Sequence, residues 1–274
     1  MNVRFKFFAH FEHAAVSPFV ACSEWVAGSK QGVLIASAIL ALLLPPAQFS
    51  TTTNGQKQVS DASLAKPRYA NFLGEVASDD AQFIANWVAD SRDNQTLSFV
   101  IIDKKHTRVY VFDSQASLIG ATPVLLGSAS GDDSVAGIGQ RPIDEVLPHE
   151  RTTPAGRFIG EPGRNTHGED VIWVDYGAAV SMHRVRIVDP KERRLERLAS
   201  LTTDDNRISF GCVNIPVAFY ENVLSPEFKA KYGVVYVLPE VKLVRDVFTT
   251  AYDPAKKREM TEARLKAAAP LLPG

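Results

Sequence analysis

The chain has 274 residues, 45% of them hydrophobic and 22% charged, which is ordinary globular composition. That length suffices for one sizeable domain with appendages. With 30 Lys+Arg against 31 Asp+Glu the net charge is −1, so nothing points to nucleic acid by bulk charge, and the six histidines and two cysteines show no zinc-type ligand pairs at short spacing.

Met1–Gly32 is irregular, with Arg4, Lys6 and Lys30 as its basic residues. Val33–Leu44 is a run of 12 residues, apolar but for Ser37. It is short for a full span, which needs about 20 residues, but normal for a signal-peptide core. The preceding tail is long for a signal, and Pro45-Pro46-Ala47 is a poor cleavage site. The run therefore reads as an export segment, either a cleaved signal or an uncleaved anchor. The basic residues before it put the N-terminus in the cytoplasm. Ser50–Pro67 is rich in Thr, Ser, Gln and Asn and reads as a flexible linker.

Ser78-Asp79-Asp80 supplies N-cap chemistry for a helix through Asp90, with Phe83, Ile84, Trp87 and Val88 on one face. Leu97–Ile102 and Arg108–Phe112 form a hairpin candidate around the polar turn Asp103–Thr107. Leu118–Leu126 is a third strand, ending in the small-residue loop Gly127–Asp132, which is either a plain turn or a substrate contact. Gly137–Arg151 reads as a long loop, and long ordered loops are often lids. Thr153-Pro154-Ala155-Gly156 turns into a strand over Arg157–Gly160, and Glu161–Asp170 is a polar loop. Val171–Val174 and Ala179–Met182 are strands, with His183 at the end of the second.

Asp189-Pro190 opens a helix to Leu201, with Asp189 as cap. Lys191, Arg193, Arg194 and Arg197 form its basic side, read as a solvated face, or less directly as a contact for anionic envelope polymers. Val234–Leu238 is a final strand. Val241–Tyr252 and Thr261–Ala269 are C-terminal helices without a motif, and no internal repeat or separate wall-binding module is visible.

The stretch Arg207–Pro216 presents one thiol in a tight loop. Gly211 opens backbone conformations closed to residues with a Cβ. Pro216 suits the first turn of a helix continuing to Leu224, which would set Cys212 near a positive helix end that favours thiolate. Cys22 precedes the apolar run, so an exported product keeps Cys212 as a single thiol. A lone thiol is either a small buried hydrophobe or, in an exported chain, a group kept for use.

A thiol of pKa about 8.5 needs a base to act as nucleophile near neutrality, and histidine suits that role. His10 and His13 precede the apolar run and are excluded by topology. His106, His149 and His167 fall in turns or polar loops, whereas His183 ends a strand, where side chains are held more rigidly. Backbone N–H groups at Gly211 and Cys212 are natural donors to a developing oxyanion.

Ser209-Phe210-Gly211-Cys212-Val213-Asn214 resembles the Ser-His-Gly-Cys signature of the L,D-transpeptidases, the YkuD-type domain that remodels bacterial peptidoglycan. Three further stretches match the family in order: the strand pair around Phe99–Phe112, Thr153–Phe158, and Ser181-Met182-His183. The resemblance covers about Leu97 to Glu240. It implies an α+β fold, a β-rich mixed sheet with peripheral helices. It divides the chain into a tail and signal or anchor (1–49), a linker and short helix (50–96), a catalytic domain (97–240) and a helical tail (241–274).

It further implies Cys212 as nucleophile, His183 as base, and Gly211, Ser209 and Asn214 around the oxyanion and substrate, with no metal or organic cofactor. The expected substrate is a peptidoglycan stem peptide, acylated through a thioester to give a three-to-three cross-link or protein anchoring, in the periplasm or cell envelope. Carbapenem-type inhibitors are expected to modify Cys212. An L,D-carboxypeptidase and a catalytically weakened peptidoglycan-binding protein are the alternatives. The sequence departs from the family at Phe210, where the signature has histidine, in the 25 residues between His183 and Ser209, and at Asn214, where the family often has arginine.

Overall fold

The computed structural model describes residues 66–229 and 231–268. The apolar run, Cys22, His10, His13 and all but the last two linker residues lie outside them. No helix among the described residues is long and apolar enough to cross a membrane.

Helix α1 (Asp79–Ser91) starts where the cap chemistry puts it: Ser78 Oγ accepts from Ala81 N–H at 3.1 Å. It lays Ile84, Trp87 and Val88 on the sheet. The strands are β1 (Phe99–Asp103), β2 (Arg108–Phe112), β3 (Leu118–Pro123), β4 (Leu126–Gly127), β5 (Gly156–Arg164), β6 (Asp170–Asp175), β7 (Val180–Arg184), β8 (Arg207–Ser209), β9 (Val213–Ile215) and β10 (Gly233–Val237). Eight of them form one sheet in the order β3-β2-β1-β10-β5-β6-β7-β9, while β4 pairs with β8. The pairs β1–β10, β7–β9 and β4–β8 are parallel and the rest antiparallel. Leu125 and Asn214 exchange both backbone hydrogen bonds, at 2.8 and 3.0 Å. This joins the chain just after β3 to β9, so the sheet nearly closes.

The central strands β1 and β10 are buried on both faces, which explains their continuous apolar sequences. Phe99, Ile101, Tyr110, Phe112 and Tyr236 face α1, with Val244 and Phe248 of the C-terminal region in the same core. Val100, Ile102, Val109, Val111 and Val237 face a second core holding Met182, Val213, Ile215, Tyr220 and Phe228. Each such fully buried side chain stabilises the fold by about 1.5–3 kcal/mol before entropy is counted.

Several local expectations change. Glu161–Asp170 is no free loop: β5 continues to Arg164 and pairs with β6 through Glu161–Trp173 and Arg164–Asp170. The helix expected over Pro190–Leu201 is a 3-10 turn, Pro190–Glu192, followed by α2 (Arg194–Ala199). After Pro216 the chain forms α3 (Val217–Phe219), a π turn over Tyr220–Leu224, and α4 (Ser225–Phe228). Of Val241–Tyr252 only α5 (Val244–Val247) is helical, and α6 begins earlier than expected, spanning Pro254–Ala268. The Gly137–Arg151 loop holds three 3-10 turns.

Candidate active site

Strands β7 and β9 run side by side in parallel, with Met182 opposite Val213, His183 opposite Asn214 and Arg184 opposite Ile215. Cys212 is the residue just before β9. Ser181 and His183 are two residues apart on β7 and so project to one face. Cys212 Sγ lies 3.7 Å from Ser181 Oγ and 3.6 Å from the Ala179 carbonyl oxygen. Cys212 and His183 are both half-buried. Nδ1 of His183 donates to the Arg184 carbonyl at 2.8 Å. The neutral ring then keeps its lone pair on Nε2, the nitrogen left free to take a proton.

The loop before Cys212 is fixed from several sides. Ser209 Oγ donates to the Cys212 carbonyl at 2.6 Å and accepts from Gly211 N–H at 3.1 Å. Asn214 Nδ2 donates to the same carbonyl at 3.3 Å. Gly211 has φ +130°, and a Cβ there would meet the Thr152 carbonyl oxygen at 2.7 Å. Thr153 Oγ1 donates to the Gly211 carbonyl and accepts from Gly127 N–H. Thus the Gly127–Asp132 loop and the Thr152-Thr153 pair form the support under the cysteine loop.

Burial alone would push the Cys212 thiol up, but the neighbouring His183, with help from Ser181, holds it below the ordinary thiol value. Burial likewise works against the imidazolium of His183. Cys212 and the Arg184 carbonyl outweigh that, and the ring's pKa is raised, while the charge of Arg194 acts in the opposite direction. The two shifts favour thiolate beside imidazolium, the reactive form of such a pair.

Two sequence expectations need correction. Cys212 is not at a helix N-terminus, because β9 intervenes and the helix starts only at Val217. Its thiol is lowered by His183, not by a helix end. Gly211 N–H is also not free to receive an oxyanion, because Ser209 Oγ holds it; the Cys212 N–H carries no hydrogen bond within the described residues. Ser209 is correspondingly a brace for the loop, and Asn214 a second brace.

The competing histidines stand elsewhere: His106 pairs with Asp103 at 2.9 Å, His149 is exposed on a 3-10 turn, and His167 is exposed 3.5 Å from Arg186. Phe210 is exposed and stacks under the Arg151 guanidinium at 4.0 Å. Sequence reading missed Ser181, although the alternation of β7 puts it on the face of His183. It also missed Arg194, taken for part of a solvated face; its side chain is 13% exposed and reaches Asn214 Oδ1 at 2.5 Å.

No family model matches the chain, and no curated protein matches it. Solved structures similar to it include the helical cell shape determining protein Pgp2 from Campylobacter jejuni, at 13% identity and TM-score 0.36, covering 70% of this chain and 79% of that one. The L,D-transpeptidase LdtMt1 in complex with imipenem matches at 14% identity and TM-score 0.31, covering 52% and 58%. The catalytic domain of an Enterococcus faecium L,D-transpeptidase matches at 17% identity and TM-score 0.30, covering 52% and 98%.

Proposed function

We propose that this chain is a cysteine-dependent acyltransferase of the L,D-transpeptidase type, acting on peptidoglycan stem peptides, with Cys212 as nucleophile and His183 as its base and acid. The observation that carries the reading is the parallel pairing of β7 with β9, which sets His183 opposite Asn214 and beside the Cys212 loop, with its Nδ1 anchored on the Arg184 carbonyl. The substrate class and the envelope location rest on the motif resemblance.

In this reading the Cys212 thiolate attacks the carbonyl that follows a diaminopimelate-type residue. A C–S bond forms, and the carbonyl electron pair moves onto oxygen, where the Cys212 N–H is the available donor. The loss of one such donor typically costs on the order of 100- to 1000-fold in rate. Collapse breaks the C–N bond to D-alanine, whose nitrogen takes the proton held on His183. An incoming amine then attacks the thioester, gives its proton to His183, and releases the thiolate. Water in place of the amine makes the same site an L,D-carboxypeptidase.

Intact mass after exposure of the full chain to a carbapenem is the test. One adduct on the native protein and none on Cys212→Ala is the expected result; equal adduct on both would overturn the assignment. Exposed Phe210, standing where the signature has histidine, favours a second reading, a wall-binding protein with weakened turnover. Muropeptide profiles separate the two: binding with no new dimer or trimmed stem supports the second.

A further inference from the structure

We propose that Arg194, from the segment inserted between His183 and the cysteine loop, is a positioning residue of this site: its guanidinium orients Asn214, and Asn214, opposite His183 in the sheet, holds the Cys212 carbonyl. The assignment rests on reading Cys212 and His183 as nucleophile and base.

Arg194 differs from the residues around it. Arg193, Leu195 and Glu196 are exposed, whereas the Arg194 side chain is 13% exposed. Its Nε donates to Glu192 at 2.6 Å and its Nη1 to Asn214 Oδ1 at 2.5 Å. A side-chain amide has one acceptor end and one donor end, and its direction is set by what it meets. Arg194 can only donate, so it claims Oδ1. Nδ2 is thereby turned toward the Cys212 carbonyl, 3.3 Å away. Asn214 is itself buried at 1% exposure, with its backbone locked to Leu125. A guanidinium from outside the sheet thus fixes the side-chain amide that holds the cysteine loop.

The second contribution is charge. Among the described residues, the ionisable groups around His183 include Cys212 from the cysteine loop, Arg194 from α2, and Glu169 from the β5–β6 turn. Arg184, next along the chain, is paired with Asp170 and Glu221, and Arg186 with Glu169. Arg194 has Glu192 as a carboxylate partner, and its cation works against the imidazolium. It therefore eases return of the proton to a leaving group.

The test uses the full chain with nitrogen-15-labelled histidine. The His183 titration is followed by NMR in the native protein, Arg194→Met and Arg194→Lys, with iodoacetamide alkylation of Cys212 as a second readout. Arg194→Met should raise the His183 pKa, and Arg194→Lys should restore it. Arg194→Met and Asn214→Ala should slow alkylation non-additively, because one acts through the other. Circular dichroism verifies that each variant is folded. An unmoved His183 titration in folded Arg194→Met, or additive effects on alkylation, would overturn the proposal. Neither readout needs peptidoglycan turnover, so failure of the enzymatic reading shows separately, as absence of a carbapenem adduct.

Discussion

The hydroxyl of Thr153 donates a 2.8 Å hydrogen bond to the carbonyl of Gly211. The same oxygen accepts from Gly127 N–H at 3.0 Å, so one buried side chain ties two loops beneath the thiol. Thr153→Val keeps the shape and removes both bonds. The two backbone groups would be left buried without partners, at about 1–3 kcal/mol of stability. Thermal unfolding should show that loss, and alkylation of Cys212 should slow severalfold. A variant with native stability would refute the linkage.

Gly211→Ala is expected to be worse for reactivity than for folding. The position has φ +130°, which side chains rarely adopt, and the added methyl would stand 2.7 Å from the Thr152 oxygen. Backbone strain of this kind costs about 1–3 kcal/mol, and relief requires moving the residue before Cys212. Chemical denaturation and carbapenem acylation, measured on one preparation, should show a modest drop in the first and a large drop in the second.

Lys104 is the buried charge most exposed to mutation. Its Nζ is fully enclosed and meets Asp132 at 2.7 Å, the Gly131 carbonyl at 2.6 Å and the Thr153 carbonyl at 2.8 Å. Lys104→Met leaves Asp132 unpaired in the interior, with an expected cost on the order of 3–5 kcal/mol. Burial pushes the Asp132 carboxyl up, but Lys104 and the N–H groups of Lys242 and Glu240 hold it at about 2, against an ordinary 3.8. A depressed carboxylate stabilises the fold above its unfolded pKa, and that stability is lost as pH falls through the folded pKa. The contribution is about 2 kcal/mol, lost between roughly pH 4 and pH 2. Acid unfolding of Asp132→Asn should lack that component.

The pH profile of Cys212 alkylation tests the pair directly. With His183 present, the thiol is lowered and reaction with iodoacetamide should persist below the ordinary thiol pKa of about 8.5. In His183→Asn the lowering by the imidazole is gone and only Ser181 opposes the upward push of burial, so the midpoint should move up. Mass spectrometry of the alkylated protein across pH gives both midpoints; identical profiles would separate the imidazole from the sulfur's reactivity.

What the sequence made legible was local. Ser78 caps α1 because its hydroxyl and the first-turn amides are three residues apart, and the hairpin of β1 and β2 follows from adjacent β-rich runs. The nearness of His183 and Cys212 came through resemblance, since 28 residues separate them in sequence. Long-range pairing escaped. Val213-Asn214-Ile215 looked like the approach to a helix, but parallel pairing with β7 makes it a strand. Lys104 fell in a polar turn, Asp103–Thr107, and its burial could not be read there because its partner, Asp132, lies 28 positions away. Arg194 read as surface charge because nothing near it in sequence announces Asn214.

The Leu125–Asn214 bridge has a consequence for how a peptide can approach. Short β9 is flanked by β7 on one side and by Leu125 on the other, so it offers no open rim on which a visiting chain could lie as an extra strand. On the proposed function, an incoming peptide would reach the sulfur over the loops, held by side chains instead of by borrowed backbone pairing.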